Sequence, residues 1–143
     1  MENDIGLNKI DKKDLLIVFF LLILSIPLSF VASKIPEIKN FYLNYPLTPI
    51  GIFERLFGMF VLELIFRGFV MIGLFKRFGK WSIVLQDVPY TILHIGKPLL
   101  ELPYSGVVGL IYGTIDYRSK SFLPSFLLHA IGSEIFIIMV HLL

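Results

Sequence analysis

LFGMFVLELIFRGFVMIGLF, Leu56 to Phe75, is a run of twenty residues whose only charges are Glu63 and Arg67. Twenty residues of helix, at about 1.5 Å rise each, cover the roughly 30 Å hydrocarbon thickness of a bilayer. The i, i+4 spacing places the carboxylate and the guanidinium on one helix face, one turn apart. An ionisable side chain at that depth costs at least about 2.5–3.5 kcal/mol on insertion scales unless it is paired and turned toward protein or water. The pair therefore predicts a polar site inside a helical bundle, or else an ion pair that locks two helices together.

The whole chain agrees with that reading. Of 143 residues, 56% are hydrophobic and only 17% are charged, and the mean hydropathy is +0.81. Average soluble domains carry about 25% charged residues. The expectation is an all-α, polytopic membrane helical bundle of about five transmembrane helices. A polar leader at 1–14 precedes a single transmembrane domain at 15–143. The absence of cysteine excludes disulfides, thiolate metal sites and a cysteine nucleophile. No basic run of the nucleic-acid-binding kind occurs.

Outward from the central stretch, the spans read as Leu15 to Ser33 with Pro27 as a kink, then Leu56 to Phe75, ending at Lys76-Arg77. Trp81 to Ile95 carries Asp87, Pro89 and His94, with Asp87 read as capping the kink before the proline. Glu101 to Tyr117 presents Gly106, Gly109 and Gly113 as a close-packing face. Asp116, Arg118 and Lys120 read as a polar turn, and Phe122 to Leu143 is the last span, with His129 and Glu134 inside it. Residues 34–50 read as a loop with interfacial aromatics. Glu54 and Arg55 are placed at the mouth of the second span. Counting Lys and Arg outside the spans, the positive-inside rule puts the N-terminus in the cytoplasm of a cell-membrane protein.

Glu63, Arg67, His94 and His129 come from different spans, and a bundle this small has one interior for them to share. Tyr90 and His94 are four apart, as are His129 and Ser133, so each pair lies along one helix face. Carboxylate and imidazole groups that converge suit activation of water, through a general base or through a metal. Taken one at a time, each histidine also has a simpler reading as a hydrogen-bonded interior residue.

In order, Glu63-x-x-x-Arg67-Gly68, Tyr90-x-x-x-His94, a glycine-rich helix and His129-x-x-x-Ser133 resemble the CPBP intramembrane proteases. These are the CAAX-prenyl-protease and bacteriocin-processing, or Abi, proteins. The resemblance covers about residues 56–135. It implies a hydrolase, an intramembrane endopeptidase or metalloprotease, acting on membrane-associated or prenylated peptides in contact with lipid. Glu63, Arg67, His94 and His129 would be its catalytic set, with His94 and His129 as ligands of any divalent metal such as zinc. Glu101, Ser133 and Tyr90 are secondary candidates. Leu62 stands where the family's pattern has its first glutamate, and Ser133 where it has asparagine or aspartate. Glu101, in the stretch His94-Ile-Gly-Lys-Pro-Leu-Leu-Glu101, is a candidate to replace the missing carboxylate. The departures also admit a catalytically inactive relative that binds a membrane peptide or protein.

Overall fold

The computed structural model describes residues 6–143, so the first five residues of the polar leader lie outside the described residues. The described chain is all-α, a membrane helical bundle. Its helices are α1 (Lys12–Ala32), α2 (Pro36–Tyr42), α3 (Pro49–Glu63), α4 (Ile72–Phe78), α5 (Trp81–Ile92), α6 (Glu101–Ser119) and α7 (Leu123–Leu142). A π-helical segment, Leu64–Met71, joins α3 to α4 without a break. Among the described residues three stretches are long and apolar enough to cross a membrane: Lys12–Ala32, the continuous Pro49–Phe78 and Leu123–Leu142. At twelve residues, α5 is only about 18 Å long, short of the hydrocarbon thickness.

Local chemistry sets the helix starts. Asp11 caps α1 by accepting the Asp14 N–H at 2.8 Å, and Thr48 caps α3 by accepting the Gly51 N–H at 3.1 Å. Pro49 follows as the first helical residue, where a missing N–H costs nothing. The second span therefore begins seven residues before Leu56, and Arg55 lies within the helix rather than at its mouth. Residues 34–50 are likewise not all loop, since Pro36–Tyr42 is helical. At the other end of the third span, α5 stops at Ile92 and leaves His94 in the turn beyond it.

The packing is inside-out by the standards of a soluble domain. Leu16, Phe19, Phe20 and Val31 of α1 face outward while Glu63, Arg67, Gln86, Asp87 and Asp116 are buried. That distribution suits a lipid solvent, in which polar groups turn toward protein. α1 packs along α7, and Val18, Ile115 and Leu128 form the buried apolar contact of α1, α6 and α7.

α6 lies on α5 through its glycine face, as expected. Gly106 meets Thr91, Gly109 meets Asp87 and Tyr90, and Gly113 meets Gln86 and Ile83. A Cβ on Gly109 would overlap the Asp87 carboxylate and stand 3.0 Å from the Tyr90 ring. Asp87 thus packs across α6 instead of capping the Pro89 kink; its Oδ1 is buried without a hydrogen-bond partner.

The two ends of the bundle are tied separately. At one end the leader meets the α6–α7 turn: Phe122 N–H donates to Gly6 O at 2.9 Å, Asn8 Nδ2 donates to Lys120 O at 2.8 Å, and Arg118 pairs with Asp14. At the other end Arg55 grips Glu134 through Nε and a terminal nitrogen, both at 2.8 Å, and donates to Pro46 O. Glu134 is therefore spoken for within the chain. Tyr42 Oη donates to Glu101 Oε2 at 2.7 Å, bringing α2 onto the start of α6.

Candidate active site

The polar centre is built around Glu63, the last residue of α3, at the point where the helix widens into its π segment. Widened turns of this kind are rare and are frequently found at functional sites. Glu63 and Arg67 are both wholly buried. Arg67 donates from one terminal nitrogen to Glu63 Oε2 at 2.6 Å and from the other to Gly109 O at 3.5 Å. Its guanidinium lies 4.0 Å from the centre of the Tyr90 ring. The close approach of α6 allowed by Gly109 thus brings a backbone carbonyl to the arginine as well as a helix face to α5.

α7 completes the shell. Ser125 Oγ lies 2.9 Å from Glu63 Oε2, and His129 Nδ1 lies 2.7 Å from Glu63 Oε1. A carboxylate accepts only, so beside Arg67 the ionised Glu63 takes the Nδ1–H of His129, and in the neutral form of that ring Nε2 is the acceptor. One oxygen of Glu63 has two donors and the other has one. The side chain of Glu63 has no exposure, whereas that of His129 is 20% exposed. The accessible end of the Glu63–His129 pair is therefore the imidazole.

His94 reaches the same aromatic residue from the turn after α5. Its Nδ1 is 3.2 Å from Tyr90 O, and its ring centre is 5.1 Å from that of Tyr90. His129 lies 6.4 Å from the same ring on the T-shaped side. Tyr90 is thus the ring that Arg67, His94 and His129 all border.

Other candidates fall elsewhere. Glu101 belongs to a second cluster, bonded to Tyr42 and 3.9 Å from Lys97 Nζ. In that cluster burial lowers the affinity of Lys97 for its proton, against the pull of Glu101. Burial, and then the bond to Glu101, hold the Tyr42 phenol far above its ordinary value. Ser133 is half-buried one turn beyond His129 and makes none of the bonds that hold Glu63.

Asp116, read from the sequence as part of a polar turn, is wholly buried. Its Oδ1 accepts the Ser125 N–H at 3.1 Å. Ser125 and Asp116 are the residues the sequence reading passed over. The signals were available: Ser125 is four before His129, and Asp116 is three after Gly113, on the glycine face.

Among the described residues no three His, Asp or Glu side chains are grouped to hold a metal ion. The oxygens of Glu63 are turned to Arg67, Ser125 and His129, leaving two imidazole nitrogens where a zinc site commonly takes three protein ligands.

Fold and site together define an integral membrane protein with a buried carboxylate–arginine–imidazole centre. A family model described as Type II CAAX prenyl endopeptidase Rce1-like matches residues 44–133, and the chain belongs to this family of CAAX-protease-type intramembrane proteases. The matched stretch takes in Glu63, Arg67, His94 and His129. Comparison with curated proteins and with solved structures finds no match.

Proposed function

We propose that the protein is an intramembrane endopeptidase in which Glu63 and His129 act as a dyad, with His129 as the general base. One observation carries this reading: the 2.7 Å contact from His129 Nδ1 to a carboxylate sealed from solvent. Glu63 fixes the imidazole tautomer and stabilises the imidazolium that forms, leaving Nε2 to take a proton from water. The water oxygen bonds to the scissile carbonyl carbon. Collapse of the tetrahedral intermediate breaks the C–N bond, and His129 returns the proton to the leaving amine. His94, the other imidazole against Tyr90, donates from Nδ1–H to Tyr90 O, which leaves its Nε2 as an acceptor for the second hydrogen of the attacking water. Arg67 is the counter-charge that keeps Glu63 in place.

The substrate class is a membrane-associated peptide, prenylated in keeping with the family's description. With Arg55 inside α3, the Lys and Arg residues at the α2 end are Lys34, Lys39 and Lys97. The leader end has Lys9, Lys12, Lys13, Lys76, Arg77, Lys80, Arg118 and Lys120, an excess that supports a cytoplasmic N-terminus for a protein of the cell membrane.

Cleavage of a quenched fluorescent prenyl-peptide by the purified protein in detergent tests the mechanism. Loss of a general base lowers the rate by about 10²–10⁴, so His129→Ala should fall in that range and Glu63→Gln should fall with it. Retained cleavage in both variants removes the dyad. A second reading, an inactive relative that binds membrane peptides, is favoured by the sealing of Glu63 and by Leu62 beside it. It predicts that wild-type protein binds the prenyl-peptide without cleaving it.

A further inference from the structure

We propose that Ser125 and Asp116 are positioning residues: together they hold the Glu63 carboxylate in the orientation that meets His129. This deepens the dyad reading and rests on it for its catalytic consequence, though not for its structural one. Ser125 has one hydroxyl proton and two acceptors at 2.9 Å, Glu63 Oε2 and the carbonyl of Phe122. The Phe122 carbonyl already accepts the Phe126 N–H at 3.0 Å. An ionised acceptor makes a hydrogen bond roughly twice as strong as a neutral one, so the proton goes to Glu63.

Asp116 then fixes the serine from behind. Its Oδ1 holds the Ser125 N–H at 3.1 Å, satisfying a donor in the first turn of α7, where the helix itself offers no acceptor. Asp116, Ser125 and Glu63 are all wholly buried, so water replaces none of these bonds. The carboxylate is thereby set from three directions: Arg67 along its own helix, Ser125 from α7 and, through Ser125, Asp116 from α6. Arg67 and Ser125 share Oε2, which leaves Oε1 directed to His129. Were Ser125 only a helix-start residue bonded to Phe122, its hydroxyl would matter to stability and not to the state of His129.

The chain has three histidines, so nitrogen-15 NMR of histidine-labelled full-length protein in detergent reads their tautomers individually. At alkaline pH, where imidazole is neutral, wild-type His129 should be held as the Nδ1–H tautomer. Ser125→Ala should release it to a mixture of both tautomers. Asp116→Ala should do the same, whereas Asp116→Asn, which keeps an oxygen for the Ser125 N–H, should restore the wild-type spectrum. In the cleavage assay Ser125→Ala should lower kcat by about 10- to 100-fold, the range of one hydrogen bond to a charged group, with KM within about twofold.

An unchanged His129 spectrum in Ser125→Ala and Asp116→Ala overturns the proposal, whatever their thermal stability. So does a loss confined to KM. A changed spectrum in a protein that cleaves nothing leaves the positioning role standing and takes down the endopeptidase reading.

Discussion

Replacing Arg67 by methionine keeps most of the side-chain volume and removes the charge, which makes it a direct test of how the centre is held. Arg67 donates to Glu63 Oε2 at 2.6 Å and to Gly109 O at 3.5 Å, and it stacks at 4.0 Å on Tyr90. Both members of the ion pair have no solvent exposure. Removing one partner of a buried pair strands the other charge and costs about 3–5 kcal/mol. Against a typical folding free energy of about 5–15 kcal/mol, Arg67→Met should lose a large share of the total. The decisive variant is the double one. Adding Glu63→Gln to Arg67→Met removes the stranded charge, and replacing both partners of a buried pair is often close to neutral. The double variant should therefore regain at least about 2 kcal/mol over Arg67→Met alone, a coupling in the range expected of touching residues. Equilibrium unfolding in mixed detergent micelles gives all four corners of the cycle. A double variant no more stable than Arg67→Met, or a single variant within about 1 kcal/mol of wild type, refutes the account of Arg67 as the counter-charge that makes Glu63 tolerable.

Two further outcomes follow from the packing. Gly109→Ala places a Cβ into the Asp87 carboxylate and should cost about 1–3 kcal/mol as overpacking. Gly73→Ala meets nothing within 4 Å and should be neutral or stabilise by up to about 1 kcal/mol; equal melting temperatures for the two would contradict the close α5–α6 approach. Arg55→Ala removes a two-pronged pair with Glu134 whose side chains are 8% and 16% exposed. It should lower stability by about 1 kcal/mol and speed hydrogen exchange in the first turns of α3, with little further loss when Glu134→Gln is added. Additive losses would show that the two side chains act separately.

Much of this architecture was legible because lipid makes the rules severe. A charge inside a twenty-residue apolar run has to find a partner, so Glu63 and Arg67 announced both a helix face and an interior. Three glycines at helical spacing announced a close neighbour, and α5 is that neighbour. What the sequence hid were polar residues next to ordinary turn signals. Asp116 precedes Arg118 and Lys120 and so read as part of the turn, yet the helix continues to Ser119 and carries it inside. The Thr48-Pro49 start of α3 was masked by the prolines around it, which suggested loop. Arg55 therefore reads from sequence as lying at the helix mouth, although the cap-plus-proline pattern of Thr48 and Pro49 marks a start seven residues before Leu56. The role of Glu134 depends on that boundary, because its partner Arg55 is inside the helix and not at its mouth.

The single glutamate is where sequence and structure bear most directly on each other. Leu62 occupies the position at which the resembled pattern has its first glutamate, so that Glu63 is the carboxylate left at that site. A lone acid could take over as the base only if one of its oxygens faced the substrate. Here Oε2 has two donors, Oε1 meets His129, and the residue has no exposed surface. Its basicity can reach a substrate only through the ring that touches it, since proton transfer works over hydrogen-bond distances of about 2.6–3.2 Å. The residue that combines contact with Glu63 and access to space is His129. On the proposed dyad this glutamate reaches water through His129: wild-type cleavage that His129→Ala abolishes supports that route, and wild-type protein that binds the prenyl-peptide without cleaving it supports the inactive relative.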